Sequence, residues 1–216
     1  MAAPVSRILL VKPSALGDVC RTMPALASLR AAFPDARIDW LVQEDFVDAV
    51  RGHPALAGVV TFPRRAWRRW WSPSSVAGVR RFASGLRASG YDMVIDLQGL
   101  FRSGLFTRAT RAARRVGWND AREFAWLGLN ERHARRGGPD ATEVMLALLQ
   151  DAGVAPVRDA RMHLPPGAAS AWATRRQTCG LRERYVALAP TSRWMSKRWP
   201  AARWKALAEE IGRAHF

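Results

Sequence analysis

Residues 7–12, RILLVK, form a short apolar run that stops at Pro13, and the pattern beyond it changes from strand-like to helical within one loop. Val19, Met23, Leu26 and Leu29 recur at three- and four-residue intervals across residues 17–33, which places them on one face of a helix. This strand, loop and helix unit constrains the chain strongly because its pattern recurs. Residues 38–42, 58–62 and 93–97 read as further strands, with helical segments between several of them. One such helix starts at a Ser74 or Ser75 cap and runs to about residue 89. Residues 114–117 read as an edge strand, and residues 140–152 as a helix closing the unit at Gly153.

Alternating strands and helices imply an α/β fold with a Rossmann-like parallel sheet. Such sheets bind ligands outside the carboxyl ends of their strands, which makes the loop after Lys12 a privileged position. A chain of 216 residues has room for one domain and part of a second. The periodicity breaks up over residues 156–167, which carry Pro156, Pro165 and Pro166. A helical stretch over 168–179 follows, then a buried strand at 185–189 (YVALA), a polar loop over 190–198, and a helix from Pro200. The expected organisation is therefore a first domain over 1–155, a linker over 156–184, and the opening of a second Rossmann-like domain over 185–216 with too few strands to close a sheet.

Charge narrows the partners without choosing one. With 34 basic and 18 acidic residues the formal charge is +16, which attracts polyanions: nucleic acid, anionic lipid or phosphorylated glycolipid. Almost all of it is arginine, and only Lys12, Lys197 and Lys205 are lysine. A nucleic-acid module is disfavoured because the arginines are spread along the chain and no nucleic-acid motif appears. Cys20 and Cys179 stand alone, which fits a reducing compartment and supports neither a zinc site nor a disulfide framework. The opening residues lack signal-peptide character and no apolar run reaches bilayer length, so any membrane contact is expected to be peripheral.

Asp18 stands out in KPSALGDV as a carboxylate in the first helical turn after the first strand. An acid there also serves as an ordinary helix-start residue, satisfying free amides and the helix dipole. A single glycine excludes the dinucleotide fingerprint, and no phosphate-binding GxxxxGK[ST] occurs. In PRRAWRRWW, residues 63–71, arginines alternate with tryptophans, a combination suited to carboxylates, phosphates and sugar faces, or to an amphipathic helix with inward-facing tryptophans. No Asp-x-Asp triplet and no His or carboxylate cluster has ligand spacing, so neither a metal nor a cofactor is expected. His53, His133, His163 and His215 read as structural or surface residues.

KPSALGDV, RTMPAL and FPDARIDWLVQEDF, followed by PRRAWRRWW, YDMVIDLQGLFRSGL, VGWNDARE and APTSRWMSKRWP, resemble the glycosyltransferase family containing the lipopolysaccharide heptosyltransferases. The pattern is most similar to the branch that adds the first heptose to the Kdo sugars of the inner core. The resemblance implies two facing Rossmann-like domains (the GT-B arrangement), an acceptor, Kdo-lipid A, held mainly by the N-terminal one, and an ADP-heptose donor held mainly by the C-terminal one. It implies inverting transfer with Asp18 as general base. Lys197 would stabilise the departing ADP, with Thr191 and Ser192 as hydroxyl donors to its phosphates. Ser14, Arg64, Arg65, Arg68, Arg122 and Glu123 fall at acceptor-side positions, although a structural ion pair would equally explain Arg122 and Glu123. An Asp-x-Gly-x-x-His type motif of the family's second domain does not occur here, which implies an acceptor side without a complete donor side. A related sugar-nucleotide transferase with another acceptor fits the same residues.

Overall fold

The computed structural model describes residues 4–67, 72–181, 184–192 and 195–215. Contacts divide the chain into two compact units, residues 1–169 and 170–216.

In the first unit six strands form one sheet: β1 (Arg7–Val11), β2 (Arg37–Gln43), β3 (Gly58–Phe62), β4 (Met93–Asp96), β5 (Arg114–Trp118) and β6 (Glu131–His133). Every pairing is parallel and the spatial order is β3-β2-β1-β4-β5-β6, the doubly wound order. Alternation along β1 sends Ile8 and Leu10 into one core and Leu9 and Val11 into the other. On the first face the core is closed by α1 (Leu16–Cys20), α2 (Met23–Ala32) and α5 (Ala141–Asp151), through Val19, Met23, Leu26, Leu29, Met145 and Leu149. On the second face Leu86 of α3 (Pro73–Ala88) and Phe106 of α4 (Phe101–Thr110) pack against Leu41 and Val94. Burial on both faces explains why the central strands read as continuous apolar runs.

Three local expectations change. The helix read over residues 17–33 is two helices, interrupted at Arg21 and Thr22, with Pro24 in the first turn of the second; proline's fixed φ suits a helix start and its missing N–H interrupts a continuing helix. The cap of α3 is Ser72, whose hydroxyl accepts from Ser75 N–H at 3.2 Å, because Pro73 takes the first helical position. Residues 114–117 are not the sheet edge: β6 lies outside β5, joined by a bidentate ion pair from Arg114 to Glu131 at 2.9 and 2.8 Å. Asp140, read as the first residue of that helix, instead caps α5 through Thr142 N–H at 2.7 Å.

The second unit contains most of α6 (Ala168–Thr178), a 3-10 turn at Met195–Lys197, and α7 (Ala201–His215). Residues 185–189 are not a strand: they pair with nothing among the described residues, and Tyr185, Val186 and Leu188 are exposed. A strand exists only as part of a ladder, and no described residue supplies one here.

Candidate active site at the switch point of the sheet

Between β1 and β4 the strand order reverses, and the loops leaving their carboxyl ends diverge to open a crevice. A cavity of 150 Å³ lies there, lined by Lys12 after β1, Asp18 of α1, Leu97 and Gln98 after β4, Trp118 ending β5, Arg135 after β6, and α5. Four stretches distant in sequence, at 12–18, 97–98, 118 and 135–145, thus converge on one small volume.

The loop carrying Asp18 is anchored from three sides. Lys12 Nζ donates to the Leu97 carbonyl at 2.9 Å, Trp40 Nε1 donates to the Lys12 carbonyl at 3.3 Å, and Gln43 N–H donates to the Pro13 carbonyl at 3.0 Å. Ser14 N–H reaches Gln98 Oε1 at 3.4 Å. Beneath Lys12, the buried Asp96 uses Oδ1 to accept from Gln98 and Gly99 N–H at 2.9 and 3.0 Å, while its Oδ2 has no hydrogen-bond partner among the described residues. Burial raises the Asp96 pKa against these bonds and against nearby Lys12. Burial lowers the Lys12 pKa, with Asp18 and Asp96 opposing the shift.

Asp18 is half-buried, and its carboxylate makes no hydrogen bond or ion pair among the described residues. The helix-capping alternative is therefore not what the structure shows: the carboxylate faces the cavity with its acceptor capacity free, under the field of Lys12. Arg135 stacks on Trp118 with its guanidinium carbon 4.0 Å from the ring centre, and it also pairs with Asp120 at 2.9 Å. Such a site can take a proton from a hydroxyl and hold an anionic neighbour in place.

The remaining sequence candidates fall elsewhere. Arg64 follows β3 and donates to Gln43 Oε1 at 3.2 Å; since Gln43 also binds the Pro13 carbonyl, Arg64 is linked by one residue to the loop of Asp18. Arg65 is exposed and already paired with Glu44 and Asp45, so an anion there competes with two carboxylates. Arg68 lies outside the described residues, as do Arg69, Trp70 and Trp71. Trp67 packs against Phe62, Phe82 and Phe106, the inward-facing alternative for that tryptophan. Arg122 and Glu123 form no ion pair with each other: Glu123 Oε2 accepts from Phe101 N–H at 3.2 Å at the start of α4, and Arg122 is exposed. Thr191, Ser192 and Lys197 belong to the second unit, where Arg198 Nε donates to the Ser192 carbonyl at 2.6 Å and Lys197 is exposed.

Sequence reasoning passed over Gln98, Asp96, Trp118 and Arg135. Gln98 and Trp118 carried a signal, as residues just past the strands read at 93–97 and 114–117, and Asp96 as an acid inside the first of these. No group of three His, Cys, Asp or Glu among the described residues is placed to hold a metal ion.

A doubly wound sheet with a free carboxylate at its switch point makes the first unit a Rossmann-like α/β unit with its ligand crevice at that point. Residues 79–215 match the model of glycosyltransferase family 9 (heptosyltransferase). Lipopolysaccharide heptosyltransferase 1 of Pseudomonas aeruginosa is 34% identical over 213 residues, covering 95% of this chain and 58% of the relative. The Escherichia coli K12 protein of the same name is 38% identical over 131 residues, covering 59% of this chain and 41% of the relative. Among solved structures, E. coli heptosyltransferase WaaC with ADP matches at TM-score 0.73 and 30% identity, covering 95% of this chain and 64% of that one. A family 9 glycosyl transferase from Veillonella parvula matches at TM-score 0.81 and 21% identity, covering 100% of this chain and 62% of that one, a likeness of fold. The chain belongs to glycosyltransferase family 9, the heptosyltransferases, and spans 58% or less of the length of these two curated relatives.

Proposed function

We propose that this chain carries the acceptor side and the catalytic base of an inverting heptosyltransferase of lipopolysaccharide inner-core synthesis. The donor is ADP-heptose and the acceptor Kdo-lipid A, met at the cytoplasmic face of the inner membrane by peripheral contact. The observation that carries this reading is the free Asp18 carboxylate in the switch-point cavity between Lys12 and Arg135. One solved relative is described as bound to ADP-2-deoxy-2-fluoro heptose, which supports the donor class.

In the proposed reaction Asp18 takes the proton of an acceptor hydroxyl while that oxygen bonds to the anomeric carbon. The bond from that carbon to the ADP oxygen breaks on the opposite face, inverting the configuration, and ADP leaves with the electron pair. Thr191, Ser192 and Lys197 would meet the ADP phosphates, where a compact ammonium offsets developing charge. Residues 1–155 would hold the acceptor, with Ser14, Arg64, Arg65, Arg68, Arg122 and Glu123 on its sugar and anionic groups. Residues 156–184 would link to a donor-binding segment at 185–216. Metal and cofactor have no assigned part.

The test is Asp18→Asn, assayed for heptose transfer and for binding of deacylated Kdo-lipid A. The expected result is a fall in transfer of about 10²- to 10⁴-fold with acceptor affinity within about threefold of wild type. Retained transfer in the variant would remove Asp18 as base; no acceptor binding by the folded wild-type chain would sink the reading.

A further inference from the structure

On the face of the first unit that carries α3 and α4, large apolar side chains point into solvent. Phe124 is 70% exposed, Phe101 54%, Leu127 52%, Val76 45% and Leu105 41%. Two open cavities, of 520 and 280 Å³, share Phe101 and Leu105 and so join these residues into one surface. Soluble surfaces seldom gather that many large apolar groups without a partner.

The surface is built rather than left over. Glu123 and Phe124 both sit in the left-handed backbone region, at φ 54° and 60°, which side chains of this kind adopt only when their surroundings hold them there. The Glu123 carboxylate fixes the turn by accepting from Phe101 N–H. The following 3-10 turn (Ala125–Gly128) is pressed onto α4 so tightly that a Cβ at Gly128 would collide with the Gly104 carbonyl, and one at Gly104 with Ala125. The strained turn presents Phe124 and Leu127 outward when burying them would have been the ordinary outcome.

Charge identifies the occupant. The sequences of α3 and α4 contain no acidic residue, and Arg80, Arg81, Arg87, Arg102 and Arg108 are exposed along them without an acidic partner among the described residues. Arg80, Arg102 and Arg108 line the two cavities themselves. Apart from Glu123, whose carboxylate is engaged by Phe101 N–H, the charged groups around the patch are arginines; aromatic and leucine side chains inside such a rim match the interface of an anionic bilayer, with acyl boundary below and phosphates around.

We infer that the surface of α3, α4 and the turn Ala125–Gly128 seats the protein on anionic phospholipid, Phe124, Leu127 and Phe101 entering the interface and Arg80, Arg102 and Arg108 meeting phosphates. This rests on the proposed reading of a membrane-resident glycolipid acceptor and adds the face that meets the membrane. The experiment is co-sedimentation with vesicles of phosphatidylglycerol and phosphatidylethanolamine, and with phosphatidylcholine alone, at low and high salt. Wild type should bind the anionic vesicles, bind phosphatidylcholine at least about tenfold more weakly, and be released by salt. Phe124→Ser with Leu127→Ser, and separately Arg80→Gln with Arg102→Gln, should each weaken anionic-vesicle binding about tenfold or more, with unchanged circular dichroism. Binding untouched by both pairs, or self-association of the wild type abolished by the serine pair without any vesicle binding, overturns the proposal. Binding of water-soluble deacylated Kdo-lipid A separates the two ideas. Loss of vesicle binding with acceptor binding intact supports the docking face, whereas vesicle binding lost by both pairs in a folded protein that binds no acceptor keeps the face and removes the function.

Discussion

The two units of this chain have similar sequence texture and opposite burial. In the first, Ile8, Leu10, Trp40, Ile38 and Met93 are fully enclosed; in the second, no described residue is buried and Leu181, Tyr185, Val186, Leu188 and Trp199 face solvent. YVALA is as apolar as RILLV. The difference is neighbours: RILLV lies between β2 and β4 with helices on both faces, whereas YVALA has no ladder to join among the described residues. Apolar composition supplies the tendency to be buried, and only paired elements convert it into structure.

Amide hydrogen exchange should break this comparison most visibly. Amides of β1 and β4 should exchange only through global opening, slower than those of α6 and α7 by about four orders of magnitude or more; equal protection would show that burial is not what separates the units. Next, Trp40→Ala should destabilise the first unit by about 3–5 kcal/mol in chemical denaturation, because it empties a fully enclosed site and removes the indole bond to the Lys12 carbonyl. Glu131→Gln should cost about 1 kcal/mol, since the pair with Arg114 is partly exposed. Its pH dependence has a definite sign. Hydrogen bonding to Arg114 chiefly lowers the Glu131 pKa from 4.5, so its contribution is full above that value and is lost as pH falls through the lowered folded pKa. Wild type should therefore lose its advantage over the glutamine variant on acidification, and a constant difference would contradict the assignment. The smallest effect is expected for Leu188→Ser in the second unit, within about 0.5 kcal/mol in the same denaturation assay. A cost like that of Trp40→Ala would mean that Leu188 is enclosed in solution.

The sequence's reach follows the range of the interactions involved. Strands β1 to β4 and the placement of Asp18 after β1 are local features, written in periodicity. β6 escaped because Glu131, Arg132 and His133 carry no apolar alternation: they form a strand through pairing with β5 and the ion pair to Arg114. Arg135 escaped with it, since the return of β6 delivers that guanidinium to the cavity. The split between α1 and α2 was legible in Pro24, but the hydrophobic spacing runs across it. Arg122 with Glu123 shows the converse, adjacent opposite charges that suggest an ion pair and are placed apart because Glu123 serves the start of α4.

The sequence by itself determined the parallel α/β class, the family, and the carboxylate-bearing loop at the head of the first strand. Those depend on periods of two and 3.6 residues and on short motifs spread from Lys12 to Pro200. Tertiary structure alone decided that the Asp18 carboxylate caps no helix and faces the cavity that Lys12, Gln98 and Arg135 also line, and that YVALA pairs with no described residue. Each of these requires groups far apart in the chain to meet or fail to meet, and no local pattern records which strand will lie beside which.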